Sequence, residues 1–310
     1  MTEPMHPLRI AAAPISWGVC EVPGWGHVLP ASTVLSEMVA LGLTATEFGP
    51  PGYLPVEPDR LRELLAPYRI AAIGGFLALA LHRDPPAART AARASAELFA
   101  AAGAEVLVLA AATGDEGYDT RPQLDDHQWR TLIDTATDIR DIAAGYGLRT
   151  VLHPHVGTLV ETGAEVERLL VDSDLELCLD TGHLLIGGTD PVALARRHAE
   201  RIGHIHLKDV RADLAEQIRC GAIEYSAAVR QGLFVPLGDG DVDIETLVRC
   251  AHSGGYRGWY VLEQDTALAA DDTAAGPSRD TERSLRRLEN IGAALGSAGP
   301  RNERIRAAGA

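Results

Sequence analysis

Eight short apolar runs alternate with longer segments of helical period along this chain, and that alternation constrains the fold more than any single motif. The runs are Arg9–Ala13, Ala45–Phe48, Ile70–Leu77, Val106–Ala110, Arg149–His153, Glu176–Asp180, Ile202–Leu207 and Trp259–Glu263. Between them Ala31–Leu41, Asp59–Pro67, Ala88–Ala102, Asp125–Tyr146, Glu165–Val171 and Pro191–His198 space their apolar residues at the 3.6-residue period. Gly42, Gly103, Gly147 and Gly255 each close an apolar helical stretch just before a strand, where helix-ending glycines belong. Eight strand–helix units predict a (β/α)8 TIM barrel. A doubly wound open sheet also alternates, but no GxGxxG opens a helix after the first strand, and Gly74–Gly75 falls inside the third run. Such barrels run to roughly 250 residues as one domain, so residues 1–310 read as a single domain, with 296–310 a surface tail. Two stretches fall outside the alternation: a Trp-, Gly- and Pro-rich loop over Pro14–Pro30, and Arg211–Val242 with its Gly238–Asp239–Gly240 turn.

Composition removes several classes of function. Acidic residues number 43 against 28 basic ones, a formal charge of -15. A phosphate-tracking surface needs clustered Lys and Arg, so nucleic acid is not an expected partner. Cys20, Cys178, Cys220 and Cys250 show no CxxC spacing, which argues against a zinc knuckle or a disulfide framework. The opening MTEPMHPLRI lacks a basic start followed by an apolar run, and no apolar stretch approaches the roughly 18 residues of a membrane span. The expected location is the cytoplasm, with no membrane partner.

The chemistry of such a barrel gathers at the C-terminal ends of its strands. Strand two ends at Glu47 and strand five in Leu152–His153–Pro154–His155. Strand six ends in Asp180–Thr181–Gly182–His183, strand seven in His204–Ile205–His206–Leu207–Lys208–Asp209, and strand eight in Glu263–Gln264–Asp265. Strand period turns His204 and His206 the same way, with His206 nearer the mouth. Each residue has an ordinary structural explanation: Asp180 as a helix cap, a histidine as a hydrogen-bonded core group, Glu263 as an arginine partner, Lys208 as a solvated cation. Their convergence on neighbouring strand ends outweighs those explanations taken singly. Imidazole mixed with carboxylate suits a divalent ion of the Mn, Co, Zn or Fe kind better than an oxygen-only magnesium site.

The segments LCLDTGHL, HIHLKDV and GWYVLEQD resemble the metal-site strands of the xylose-isomerase-like barrel superfamily of sugar isomerases, epimerases and dehydratases. LHPHVGTLVET, LDTGHLLIGGTDPVAL, RIGHIHLKDVR and GLFVPLGDGDVDI resemble its inosose dehydratases, as do APISWG and TEFGPPGYLP nearer the N-terminus. The loop VCEVPGWGHVLP departs from that pattern. The resemblance implies metal ligation by Asp180, His206 and Glu263. The fourth ligand, commonly a glutamate, is replaced by His153, with His155 close by; which of the two faces the metal stays open at this point. It further implies Mn or Co as the ion, with Zn or Mg as alternatives, a keto-inositol or keto-sugar as substrate, and a barrel that pairs or forms larger homo-oligomers.

From these residues the expected reaction is metal-assisted dehydration of a cyclic polyhydroxy ketone through an enediolate. Candidate bases are Glu263 and His183; candidate acids are His155, His183 and Lys208. Glu47 and Trp17 are candidates for positioning the ring, as are His183 and Lys208. The first alternative is an isomerase or epimerase of a keto-inositol or keto-sugar, disfavoured because epimerases of this superfamily use two glutamates on opposite substrate faces. A phosphoesterase acting on DNA conflicts with the charge of -15. A non-catalytic barrel would have no structural need for Asp180, His206 and Glu263 together.

Overall fold

A computed structural model describes residues 8–20, 22–115 and 117–297. The opening segment through Pro7 and most of the expected tail, 298–310, lie outside the described residues. The strands are β1 Arg9–Ala12, β2 Ala45–Glu47, β3 Ala71–Leu79, β4 Val106–Ala111, β5 Arg149–Leu152, β6 Glu176–Asp180, β7 Ile202–Leu207, β8 Asp209–Val210, β9 Phe234–Val235 and β10 Trp259–Leu262. Eight of them close in the order β1-β10-β7-β6-β5-β4-β3-β2, every neighbouring pair parallel. This is the expected (β/α)8 barrel.

Strands buried on both faces need continuous apolar sequence, and β4, Val106–Ala111, is buried at every position. Alternation then divides the side chains. Leu107, Leu109, Leu152, Leu177, Leu179, Ile205 and Leu207 join the large core between barrel and helices. Val106, Val108, Val151 and Cys178 pack together as a separate cluster, as do Ala11, Ala13, Ala45, Ile73 and Val261. These two clusters have the opposite parity and fill the lumen.

Local chemistry explains where helices begin. The helix Pro85–Ala101 starts three residues before the apolar period does, because Pro85 and Pro86 occupy first-turn positions that need no N–H and Asp84 caps the end. Asp125 and Gln128 form a capping box on Asp126–Ala144, and Thr162 and Glu165 form another on Gly163–Asp172. Gly42 and Gly147 have φ of 82° and 80°, the left-handed turn expected after a helix.

The two irregular stretches hold more structure than their sequences suggest. Pro14–Pro30 opens with a 3-10 turn over Pro14–Trp17. Arg211–Val242 contains helices Ala212–Arg219 and Tyr225–Arg230, and β9, which pairs antiparallel with β8. Asp209 organises this excursion: its carboxylate accepts backbone N–H groups of Val210, Gly238, Gly240 and Val242 at 2.7–3.1 Å. Helix Ala275–Ser297 takes in Gly296 and Ser297, the start of the expected tail.

Candidate metal centre and active-site mouth

Period-two alternation brings the inward residue at the end of several strands to one place. His153 follows β5, Asp180 ends β6, His206 lies near the end of β7 and Glu263 follows β10. One ligand-type atom of each lies within 4.8 Å of the others. His153 Nε2 is 3.5 Å from Asp180 Oδ2 and 3.2 Å from His206 Nδ1. His206 Nδ1 is 3.6 Å from Asp180 Oδ2 and 2.7 Å from Glu263 Oε2.

Neighbouring groups orient each of these atoms. Asp180 Oδ1 accepts the N–H groups of Gly182 and His183, capping helix Thr181–Ile186, which leaves Oδ2 for the cluster. The capping role and the ligand role thus fall on different oxygens of one carboxylate. His153 Nδ1 lies 2.9 Å from the Pro154 carbonyl, so it carries the proton and Nε2 keeps its lone pair. His206 Nε2 lies 3.0 Å from Glu47 Oε1, which would leave Nδ1 to an ion; without one, burial would lower the ring's pKa, but Cys178, Glu263 and Glu47 hold it well above the ordinary histidine value. Asp180 Oδ2 and Glu263 Oε2 are turned into the cluster, where their partners are the His206 and Lys208 nitrogens. One nitrogen from each imidazole and one oxygen from each carboxylate, all within 4.8 Å of one another, fit a divalent ion with bonds of about 2.0–2.2 Å.

Beside the cluster the buried Lys208 ammonium lies 3.1 Å from Asp180 Oδ2, 3.0 Å from Glu263 Oε2 and 3.0 Å from Asp265 Oδ1. A glycine is required opposite it: a Cβ on Gly182 would stand 2.7 Å from Lys208 Cβ. Burial alone would discharge Lys208, but Asp180, Asp265 and Glu263 hold its pKa well above the ordinary lysine value. Burial would likewise raise Glu263, and the His206 and Lys208 charges bring it down instead. Asp265 goes the other way: burial raises it, with Glu263 adding to that and Lys208 opposing it. His155 is pushed down to about 3 by burial and by the His153 and Lys208 charges, so its ring is neutral.

The cavity above these groups is lined by Glu47, His153, His155, His206, Lys208, Glu263 and Asp265 on its polar side. Ile15, Val19, Trp25, Phe76, Tyr118 and Tyr225 line the other. The choice between the two strand-five histidines is resolved geometrically: His153 joins the ligand cluster, and His155 lies over His183 with ring centroids 3.7 Å apart. His183 is fully buried and does not line the cavity; its Nε2 is 3.2 Å from Lys208 Nζ. It packs behind His155 and Lys208.

Trp17 corrects the expectation that it covers the substrate. Its indole is fully buried and donates to Ser278 Oγ at 3.0 Å, packed against helix Ala275–Ser297 away from the cavity. Trp25 of the same loop lines the cavity, its Nε1 donating to the Thr266 carbonyl at 2.9 Å. Both fall in one irregular loop, where no period tells inward from outward. Tyr118 and Tyr225 also emerge only from the structure, and Asp265, already among the strand-eight end residues, gains its partners there. Tyr118 sits in a loop and Tyr225 opens a short helix, so neither had a periodic signal. Tyr225 donates to Asp265 Oδ2 at 2.7 Å, and its backbone N–H reaches Asp119 Oδ1 at 2.8 Å, tying two loops across the mouth.

Comparison with known proteins agrees with the barrel fold. Residues 35–291 match the model of the xylose isomerase-like TIM barrel family. An inosose dehydratase of Geobacillus kaustophilus is 34% identical over 296 residues, covering 90% of this chain and 95% of the relative. The rhizopine catabolism protein MocC of Rhizobium meliloti is 33% identical, covering 93% of this chain and 90% of its own. Among solved structures, a D-allulose 3-epimerase from Methylomonas sp. superposes with a TM-score of 0.67 at 15% identity, over 93% of this chain and 98% of that one. At that identity it supports the barrel alone. Among the described residues no helix is long and apolar enough to cross a membrane.

Proposed function

We propose a reaction for a chain that belongs to the xylose isomerase-like TIM barrel family and is inosose dehydratase-like: a hydro-lyase that removes water from 2-keto-myo-inositol or a closely related cyclic polyhydroxy ketone, as a step of inositol breakdown. The observation that carries the reading is one cavity lined by ligand-type groups of four strands, a proton acceptor and a proton donor. His153, Asp180, His206 and Glu263 would hold a divalent ion, which would supply Lewis acidity to the site. The mixed imidazole and carboxylate set accepts Mn, Co or Zn, and the inosose dehydratase resemblance points to Mn or Co.

The protein groups divide the proton work. His155 Nδ1–H donates to the Val156 carbonyl at 2.7 Å, which leaves the Nε2 lone pair as the acceptor for the proton α to the ketone. This supports assigning His155 as the base, although the sequence reading offers it as a candidate acid. Lys208, kept as ammonium by three carboxylates, protonates the β-hydroxyl as it departs. Each role contributes about 10²–10⁴-fold in rate. Trp25, Tyr118 and Phe76 offer an apolar wall to the C–H face of the ring, and Asp265 anchors Lys208 while holding Tyr225 in that wall. Strand five contributes His153 where an epimerase has a second carboxylate, which disfavours proton return to the opposite face of the same carbon.

Mass spectrometry of 2-keto-myo-inositol incubated with Mn- or Co-loaded enzyme tests the reading. The expected product is lighter by one water and absent from a chelated control and from Asp180→Asn, a variant that keeps the helix cap. Unchanged mass with a new chromatographic isomer moves the assignment to an isomerase or epimerase. Turnover that survives chelation and Asp180→Asn removes the metal centre.

A further inference from the structure

The lumen holds one more histidine that neither the ligand cluster nor the cavity explains. His204 lies two residues before His206 on β7, so both rings turn inward. It is fully buried, and its Nε2 lies 2.8 Å from Glu47 Oε1, the same oxygen that receives His206 Nε2–H at 3.0 Å. Glu47 comes from β2, separated from β7 by β1 and β10, so its carboxylate reaches across the lumen. Both partners sit at irregular places in the sheet. The β2–β3 register shifts between Thr46 and Glu47, and the β6–β7 register shifts next to the Cys178–His204 pairing. Such shifts re-aim a side chain that regular pairing would point elsewhere.

We infer that His204 is a positioning residue for the metal centre, acting through Glu47 on His206; this rests on the metal-centre reading above. A carboxylate buried this deeply must be paired, and with one donor it can still rotate about its terminal bonds. Two N–H donors on one oxygen fix it. Fixed, it holds the proton of His206 on Nε2 and keeps the Nδ1 lone pair aimed at His153 Nε2, Asp180 Oδ2 and Glu263 Oε2. Outer groups of this kind change metal affinity on the order of 10- to 100-fold. Glu47, His204 and His206 also gather three ligand-type atoms of their own. His206 cannot give Nε2 to a second ion without losing the proton that orients it, so the inference requires one ion per chain.

The test uses full-length, metal-stripped protein titrated with Co(II), read by calorimetry and by the visible cobalt spectrum. The wild type is expected to bind one cobalt per chain and Asp180→Asn none of comparable affinity. His204→Leu should bind one cobalt 10- to 100-fold more weakly, with a shifted spectrum. His204→Gln, whose amide N–H stands where Nε2–H stood, should recover most of the affinity and the wild-type spectrum. His204→Asn, too short to reach Glu47, should not. Metal-free melts select the variants that fold, and the Gln and Asn pair carries the test if Leu does not. Wild-type affinity and spectrum in His204→Leu or His204→Asn overturn the inference. Two cobalt ions in the wild type and one in the variant would make His204 a ligand instead. A wild type that binds no cobalt overturns the metal-centre reading and this inference with it.

Discussion

At the N-terminal end of the barrel Arg9 pairs with Glu105 and Arg149 with Glu176, whereas at the C-terminal end Lys208 alone faces Asp180, Glu263 and Asp265. The N-terminal end has the larger cavity, about 670 Å³ against about 80 Å³. Its charges are matched one to one and wet: the Arg9 and Glu105 side chains are 41% and 48% exposed, and the Arg9 guanidinium rests 4.1 Å over the Trp259 ring. At the other end Asp180 and Lys208 are almost wholly buried, at 0% and 2%. Three carboxylates there share the one Lys208 ammonium. Room does not mark the reactive end. Desolvated charge left incompletely satisfied does, because only such groups gain substantially from an ion or a transition state.

Breaking the C-terminal arrangement should therefore cost most. Lys208→Met leaves three buried carboxylates without their cation, and should destabilise the metal-free protein by about 3–5 kcal/mol. Added Mn or Co should return part of that loss, and turnover should fall about 10²–10⁴-fold; urea denaturation with and without metal checks the first, steady-state kinetics the second. Equal stability with and without metal would separate Lys208 from the ion site.

The two loop tryptophans sharpen the contrast on a smaller scale. Trp25→Ala should raise KM roughly 2- to 10-fold, the equivalent of about 0.5–1.5 kcal/mol of ring contact. Trp17→Phe loses the bond to Ser278, worth about 0.5–1.5 kcal/mol of stability, and should leave KM unchanged. A raised KM for Trp17→Phe would restore the original expectation for that residue. Smallest of all, Arg9→Ala at the wet end should cost about 0–1 kcal/mol in a thermal melt and leave turnover untouched. A large loss of activity there would mean the two ends communicate.

How much of this was legible varies with the kind of evidence each element left in the chain. The barrel strands were legible because each is buried on both faces and so reads as a short continuous apolar run between helical segments; β4 and β6 fall nearly on their expected limits. Asp180, His206 and Glu263 were legible because barrel topology says which end of a strand carries chemistry, and the resemblance singled them out. Trp25 was hidden beside Trp17 because a loop has no repeating geometry to choose between them. Helices Ala212–Arg219 and Tyr225–Arg230 were hidden because each is too short for its period to stand out from the turns around it.

The sequence by itself determined the number of barrel strands, their order along the chain and most of the polar residues that crowd the C-terminal mouth. All of these follow from local periodicity combined with one rule of barrel closure. Tertiary structure alone decided which atoms meet: His153 rather than His155 in the ligand cluster, Glu47 between His204 and His206, Asp265 on both Lys208 and Tyr225. Those contacts join residues as many as 159 positions apart. They depend on register and on barrel curvature, which arise when the sheet closes and are written in no single stretch of chain.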